Sequence, residues 1–208
     1  MVTPKLRKVT TTSVLSGVIL VLGITNLDFI PLPFLAYVTV LHIPVIIGAI
    51  LEGPLVGMFI GVVFGIFSII KSGLIGITPI DLAFIHYPAI ALVPRVLIGP
   101  AAWGVYTLIM RIFVKKDEAM VYTPKIVTAE SIAIAAATII GSFVNTTLVL
   151  SLLVFFVAEV TKEMAIAVFI SNGPLEAIAA AIITLSVVSA WKHIPRGGGK
   201  AKLHKEGK

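Results

Sequence analysis

Long apolar stretches separated by short polar breaks dominate the chain. A membrane-spanning helix needs about 20 apolar residues, and in lipid only closed backbone hydrogen bonding survives. Six stretches fit this pattern: Val9–Ile24, Leu41–Leu51, Leu55–Ile70, Leu82–Phe113, Ile126–Val157 and Ala165–Trp191. The pattern predicts an all-α polytopic membrane domain over residues 1–194 with six transmembrane helices. The second stretch is short and contains Pro44, so five helices, with a merger near Gly53 and Pro54, is the alternative count.

The composition agrees with a membrane protein. Of 208 residues, 58% are hydrophobic and 12% are charged, and the mean hydropathy is +1.10. These polar groups are too few to cover a soluble globule of this length. Because cysteine is absent, disulfides and thiolate metal sites are excluded. The alternative interpretation of residues 1–24 is a cleavable signal peptide, but no clear small-x-small cleavage site follows them.

Lysine and arginine are distributed asymmetrically. With six helices, the N-terminus, the loop after the fourth helix and the C-terminus share one side and hold most of the basic residues, whereas the opposite side holds only Lys71 and Lys162. The positive-inside rule predicts that both termini are cytoplasmic, in the cell membrane of a prokaryote. The net charge of +6 therefore reflects topology, and no nucleic-acid partner is expected. Residues 195–208 are predicted to form a basic, disordered cytoplasmic tail.

The motifs of common enzymes are missing. There is no GxxxxGK[ST] for a nucleotide, no HExxH for zinc and no GxSxG elbow, so we expect no enzyme activity, no cofactor and no metal site. His42 and His86 lie near the outer helix ends, and each is interpreted as an interfacial histidine with a satisfied ring.

Arg95 is the most informative residue, because a charge at bilayer depth costs roughly 2.5–3.5 kcal/mol on insertion scales and usually marks a partner, a cavity or a substrate path. If the fourth helix begins near Leu82, Arg95 lies roughly 20 Å along it. Polar residues of the last two helices overlap with it in depth. The predicted substrate-binding set is Arg95, Asn145, Thr146, Asn172 and Glu176, with His86 and Lys71 from the outer side.

Two interpretations of this set stay open. Arg95 and Glu176 either pair only with each other and hold two helices together, or they also anchor a zwitterionic or anionic ligand. Asn145 and Asn172 are either interhelical hydrogen-bonding residues or ligand-binding residues. Pro174, between Asn172 and Glu176, removes one intrahelical hydrogen bond and frees a carbonyl.

Two helices carry small residues at intervals of four. Gly57, Gly61 and Gly65 lie on one face of the third helix, which favours close packing within the chain. Ser13 and Gly17 form a similar face on the first helix, which fits a partner subunit and a neighbouring helix equally well. Between the first two helices, the segment Asn26–Tyr37 is apolar but contains prolines, so an ordered outer loop and candidate lid is predicted.

Five segments are informative by their order and spacing: His42–Pro54, Gly61–Ser68, Pro94–Gly99, Asn145–Leu150 and Asn172–Ala177. Together they resemble the substrate-binding S-components of energy-coupling-factor (ECF) vitamin transporters, and among these most closely the pantothenate members. Glu52 departs from the pattern, since relatives commonly have an apolar residue there, and it is expected at most to pair with the basic inner surface.

The resemblance implies a six-helix subunit that binds a vitamin at its outer face. It also implies as partners a transmembrane coupling subunit, contacted through Ser13 and Gly17, and two ABC-type ATPases. Riboflavin and folate are alternative vitamins. A stand-alone, ion-coupled secondary transporter, in which Arg95 and Glu176 form a relay, is the competing hypothesis of a different class, and an intramembrane enzyme is the third.

Overall fold

Seven helices and one two-stranded ribbon make up the part of the protein that the computed structural model describes, residues 3–27, 29–31, 37–75, 79–114 and 124–193. The helices are α1 (Pro4–Ile24), α2 (His42–Glu52), α3 (Pro54–Ile75), α4 (Pro79–His86), α5 (Pro88–Phe113), α6 (Pro124–Phe156) and α7 (Lys162–His193). Strands β1 (Phe29–Pro31) and β2 (Tyr37–Thr39) pair antiparallel. The fold is therefore helical, as predicted, apart from this ribbon.

Five helices, α1, α3, α5, α6 and α7, are long and apolar enough to cross a membrane. The sixth candidate, α2, has 11 residues and reaches only roughly 16 Å, about half the thickness of the hydrocarbon core. The outer segment was predicted to be an ordered loop, and its described residues from Phe29 onward belong to the ribbon, whereas Asp28 and residues 32–36 lie outside the described residues. The predicted tail, residues 195–208, also lies outside them.

Glycine and proline set the helix boundaries. Thr3 caps α1 by accepting a hydrogen bond from the backbone N–H of Leu6 at 3.4 Å, as N-cap threonines do. Gly53, with φ of 102°, separates α2 from α3, so the alternative merger of these two helices is wrong. The prediction of one helix over Leu82–Phe113 is also wrong. The chain breaks at Tyr87 because the residue before a proline, here Pro88, disfavours helical geometry.

The short helix α2 is the centre of the bundle. Every residue from Leu41 to Ile50 is buried, and α2 packs against α1, α3, α5, α6 and α7. Large apolar side chains of α1 and α7 are exposed on the outside of the bundle, for example Val21 at 61% and Ile170 at 67%, as expected of helices that face lipid. A polar residue on α2 is therefore held inside the protein, whichever side of the helix it occupies.

The glycines of α3 pack against α5, which confirms the predicted packing within the chain. A methyl group at Gly57 would lie 2.9 Å from the Cα of Gly99, and one at Gly65 would lie 2.9 Å from the carbonyl oxygen of Ala91. Between them, Gly61 faces the backbone carbonyl of Arg95. Only residues without a side chain allow two helix backbones to approach this closely.

We call the end of the bundle that holds the ribbon and α4 the ribbon end. At the opposite end, Arg7 of α1 clasps Glu52, the last residue of α2: Nε lies 2.8 Å from Oε1, and Nη2 donates to Oε2 at 3.0 Å. Thr11 donates a further hydrogen bond to Oε1 at 3.4 Å. The Glu52 side chain is only 1% exposed. The expected pairing of Glu52 with a basic residue is thus confirmed, and it fixes the start of α1 to the α2–α3 turn.

Candidate functional site

Arg95 is held in place by a consequence of the proline before it. In an α-helix the carbonyl of Ile90 would accept the N–H of residue 94, but Pro94 has no N–H to donate. The guanidinium of Arg95 supplies the missing donor, since Nη1 donates to the Ile90 carbonyl oxygen at 2.8 Å. Because of Pro94, the side chain of Arg95 therefore turns back along α5 toward the ribbon end.

The guanidinium lies close to two aromatic rings. Its Cζ is 5.2 Å from the ring centroid of Phe64 on α3 and 5.1 Å from that of Phe84 on α4, within the range of cation–π attraction. Arg95 is 6% exposed, and its Nε has no hydrogen-bond partner in the part of the chain that the structure describes. The site thus contains a buried guanidinium with a donor available for a ligand.

The predicted depth of Arg95 needs correction. Because α5 begins at Pro88 rather than near Leu82, Arg95 lies roughly 10 Å from the start of its helix, about half the predicted distance. The earlier residues form α4, which instead places Phe84 against the guanidinium. Arg95 is therefore nearer to the ribbon end than the sequence indicated.

Glu176 of α7 joins three other elements. One carboxylate oxygen, Oε1, accepts a hydrogen bond from the Thr39 hydroxyl of β2 and lies 3.4 Å from Nδ1 of His42 on α2. The other, Oε2, accepts from the Thr146 hydroxyl of α6 at 3.4 Å. Glu176 is 5% exposed. Its carboxylate therefore ties the ribbon, α2 and α6 to α7.

Arg95 and Glu176 do not pair directly. Within the described residues they form no ion pair within 4.0 Å; the guanidinium donates to Ile90, and the carboxylate accepts from hydroxyl groups. Their opposite charges still attract each other without direct contact. The interpretation in which the two charges serve only to pair with each other is therefore not supported by the geometry.

Residues of α6 and α7 add amides and a hydroxyl near Glu176. Asn145 is 7% exposed and Ser142, one turn before it, is fully buried. Neither Asn145 Oδ1 nor Ser142 Oγ has a hydrogen-bond partner among the described residues. Asn172 is half-buried and lies one turn before Glu176 on α7. Of the predicted set, Thr146 contacts Glu176 directly, and Arg95 interacts with Glu176 through its charge. Asn145 adjoins Thr146 in α6, and Asn172 precedes Glu176 by one turn in α7.

His86 and Lys71 were also predicted to belong to the binding set. His86 is exposed, and its Nδ1 lies 2.8 Å from the carbonyl oxygen of Leu82 in its own helix. Lys71 is half-buried near the end of α3, roughly 10 Å farther along the helix than Phe64. It lies beside Ser72, whose hydroxyl donates to Asp81 of α4 at 3.0 Å.

Sequence reasoning missed Thr39 and His42. The interpretation of His42 as an interfacial histidine with a satisfied ring is wrong, because the residue is 0% exposed and neither ring nitrogen is hydrogen-bonded within the described part of the chain. The sequence did carry one signal of this burial, because His42 is an imidazole in a largely apolar helix. Thr39 lies in a segment whose pairing with α7 had no sequence signal.

Comparisons with known proteins agree with this picture of a ligand-binding membrane protein. A curated relative, the pantothenic acid transporter PanT of Lactococcus lactis subsp. cremoris (strain MG1363), is 28% identical over 175 residues, which cover 76% of this chain and 79% of the relative. A family model described as "ECF transporter, substrate-specific component" matches residues 7–190. The chain therefore belongs to the family of substrate-specific components of ECF transporters, which bind the transported substrate and are not enzymes.

Proposed function

We propose that this protein captures pantothenate on the outer side of a prokaryotic cell membrane and delivers it into an ATP-driven importer. The observation that carries this proposal is the buried guanidinium of Arg95, whose Nε lacks a partner within the described residues, in a membrane-embedded cluster of amides and hydroxyls. The similarity to a pantothenic acid transporter supports the same ligand.

The chemistry of pantothenate complements the cluster. Its carboxylate matches the planar donor fork of Arg95, and Arg95 is the one buried Lys or Arg among the described residues. Its amide and its two hydroxyls match Asn145, Thr146 and Asn172. Riboflavin has no carboxylate and would leave the guanidinium unpaired, whereas folate carries two carboxylates for this single buried cation.

The partners follow from the family and from the surface of α1. The sequence has no nucleotide-binding motif, so two ABC-type ATPases and a transmembrane coupling subunit would supply energy and a path. Ser13 of α1 is exposed, and no atom lies within 4 Å of a methyl group built on Gly17. This open face supports α1 as the contact with the coupling subunit.

The topology in this proposal has six membrane-crossing elements, the five long helices and the buried α2. The ribbon end then faces outward, and the Arg7–Glu52 clasp and both termini face the cytoplasm. Lysine and arginine support this orientation by the positive-inside rule. The domain comprises residues 1–194, and the basic tail 195–208 lies at the anionic inner surface.

Binding measurements on the purified protein test the ligand. Pantothenate is expected in the extract of the denatured protein, and titration should give tight binding to the native protein. Arg95→Lys keeps the charge but loses the planar guanidinium, so the affinity for pantothenate should fall by about tenfold. Arg95→Met loses both the charge and the guanidinium, so the affinity should fall at least about a hundredfold. His86→Ala, outside the cluster, is the matched control and should bind normally.

The double variant Arg95→Met/Glu176→Met separates binding from folding. Since the two charges form no direct ion pair, removing Glu176 as well should not restore the binding that Arg95→Met loses. A double variant that is well folded and binds pantothenate with undiminished affinity would show that Arg95 has only a structural role.

Transport measurements test the partners. Proteoliposomes that contain this chain alone should not accumulate pantothenate, whereas those that also contain a coupling subunit and ATPases should do so when ATP is present. Accumulation by the chain alone, driven by a proton or sodium gradient, would instead favour a secondary transporter.

A further inference from the structure

His42 is a buried polar residue to which the proposed function does not yet assign a role. It is the first residue of α2, is 0% exposed, and has no hydrogen bond at Nδ1 or Nε2 within the described residues. Buried polar atoms are nearly always hydrogen-bonded, so a buried imidazole without a hydrogen bond calls for an explanation, for example a ligand. Five polar atoms of this region lack a hydrogen-bond partner among the described residues, two on His42 and one each on Arg95, Ser142 and Asn145, and all belong to buried residues.

The contact with Glu176 defines which nitrogen of His42 is available. Nδ1 lies 3.4 Å from Oε1 of Glu176, although it is too poorly aligned for a hydrogen bond. A carboxylate accepts but does not donate, so it favours the tautomer that carries its proton on Nδ1. Nε2 is then left with a lone pair and acts as an acceptor.

The orphaned atoms have complementary roles. Nε of Arg95 is a donor, whereas Nε2 of His42 and Oδ1 of Asn145 are acceptors. Glu176 already accepts hydrogen bonds from Thr39 and Thr146, so its role is to hold the site together. A ligand that satisfies these atoms needs an anionic acceptor for Arg95 and a hydrogen-bond donor, such as a hydroxyl, for Nε2 of His42.

We propose that His42 is a specificity-determining residue of the ligand site, which accepts a hydrogen bond at Nε2 from a ligand hydroxyl, while Glu176 is the positioning residue for its ring. This inference rests on the proposed function and adds to it the class of ligand: a carboxylate that also carries an aliphatic hydroxyl. Pantothenate belongs to this class. A carboxylate with no O–H or N–H donor, such as a fatty acid, would satisfy Arg95 and leave Nε2 of His42 without a partner.

A comparison of ligands across variants tests this role. Affinities of the full-length protein in lipid nanodiscs are measured for pantothenate and for two analogues, each with one hydroxyl replaced by hydrogen. The wild type should bind at least one analogue roughly ten- to hundredfold more weakly than pantothenate. In His42→Phe this preference should fall to about twofold or less. In Arg95→Met all three affinities should fall while the preference is kept.

Controls separate recognition from folding. Thermal unfolding without ligand reports whether His42→Phe is folded, and His42→Gln, which keeps a hydrogen-bonding amide, should retain part of the preference. Should His42→Phe not fold, the ¹⁵N resonance of His42 Nε2 in the wild type provides the second readout, because a new hydrogen bond should shift it when pantothenate is added but not when the deoxy analogue is added.

Three results would overturn the inference. These are a folded His42→Phe with an undiminished preference, a wild type without preference between pantothenate and its deoxy analogues, and an Nε2 resonance that pantothenate does not move. Each leaves pantothenate binding itself intact. A wild type that binds no pantothenate would overturn the proposed function together with this inference, so the two failures are distinguishable.

Discussion

Two helices of this protein carry the same spacing of small residues and use it differently. On α3, Gly57, Gly61 and Gly65 lie against the backbone of α5, where a methyl group would meet main-chain atoms. On α1, Ser13 is exposed and Gly17 has nothing within 4 Å of an added methyl group. One face is occupied inside the chain, whereas the other is left open toward the surroundings.

The difference teaches that a small-residue spacing marks a close approach but does not name the partner. For α3 the partner is the segment of α5 that carries Arg95, the proposed binding residue, since Gly61 faces the carbonyl of Arg95. The packing of α3 therefore determines where the guanidinium lies. For α1 no neighbour within the described chain uses the face, and a second protein is the proposed partner.

The largest effect is expected at Gly61. Gly61→Leu forces a side chain into the α3–α5 contact and should prevent folding or displace Arg95, with loss of pantothenate binding. Gly61→Ala should cost about 1–3 kcal/mol of stability, the usual range for overpacking. Thermal unfolding and ligand titration measure both. Gly73 on the same helix has open space around it, so Gly73→Leu is the matched control and should fold and bind; a stable Gly61→Leu with full affinity would contradict the packing argument.

The second-largest effect is expected on α1, where Gly17 has open space around it. Gly17→Leu should leave folding and pantothenate affinity unchanged, because there is space for the side chain, but should weaken assembly with the coupling subunit by about a hundredfold by separating the helices. Co-purification of the complex measures assembly. Gly104→Leu, another glycine with open space on α5, should assemble normally. If Gly17→Leu lost ligand binding as well, α1 would have to pack within this subunit.

A smaller effect is expected where α1 is fixed to the bundle. Arg7→Met leaves the carboxylate of Glu52, 1% exposed, without its cation, and an unpaired buried charge is more costly than a pair of apolar residues. We expect a loss of about 1–3 kcal/mol, because Arg7 itself is partly solvated. Arg7→Met/Glu52→Met should recover most of it, as measured by unfolding. If the double variant were no more stable than Arg7→Met, the loss of stability would not come from the unpaired carboxylate of Glu52.

Patterns with a local physical cause were predictable from the sequence. Apolar stretches predicted the helices, and the charge of Arg95 with the amides of α6 and α7 indicated the region of the proposed binding site. The break at Tyr87 was not predicted, because the apolar pattern continues through it. Pro88 was the local signal for this break. Two features had no local cause: the burial of His42 depends on five helices that surround α2, and the contact of Thr39 with Glu176 joins residues 137 positions apart.

The smallest effect is expected at Ser13, and it tests what the open face of α1 requires. If close approach of a partner helix is the requirement, any small residue suffices, so Ser13→Ala should change assembly by less than about threefold, with stability unchanged within about 0.5 kcal/mol as at other exposed positions. Ser13→Leu should instead impair assembly as Gly17→Leu does. Co-purification with the coupling subunit compares the three variants. If Ser13→Ala alone abolished assembly, the hydroxyl would be making a specific hydrogen bond to the partner, and recognition by size would no longer describe this face.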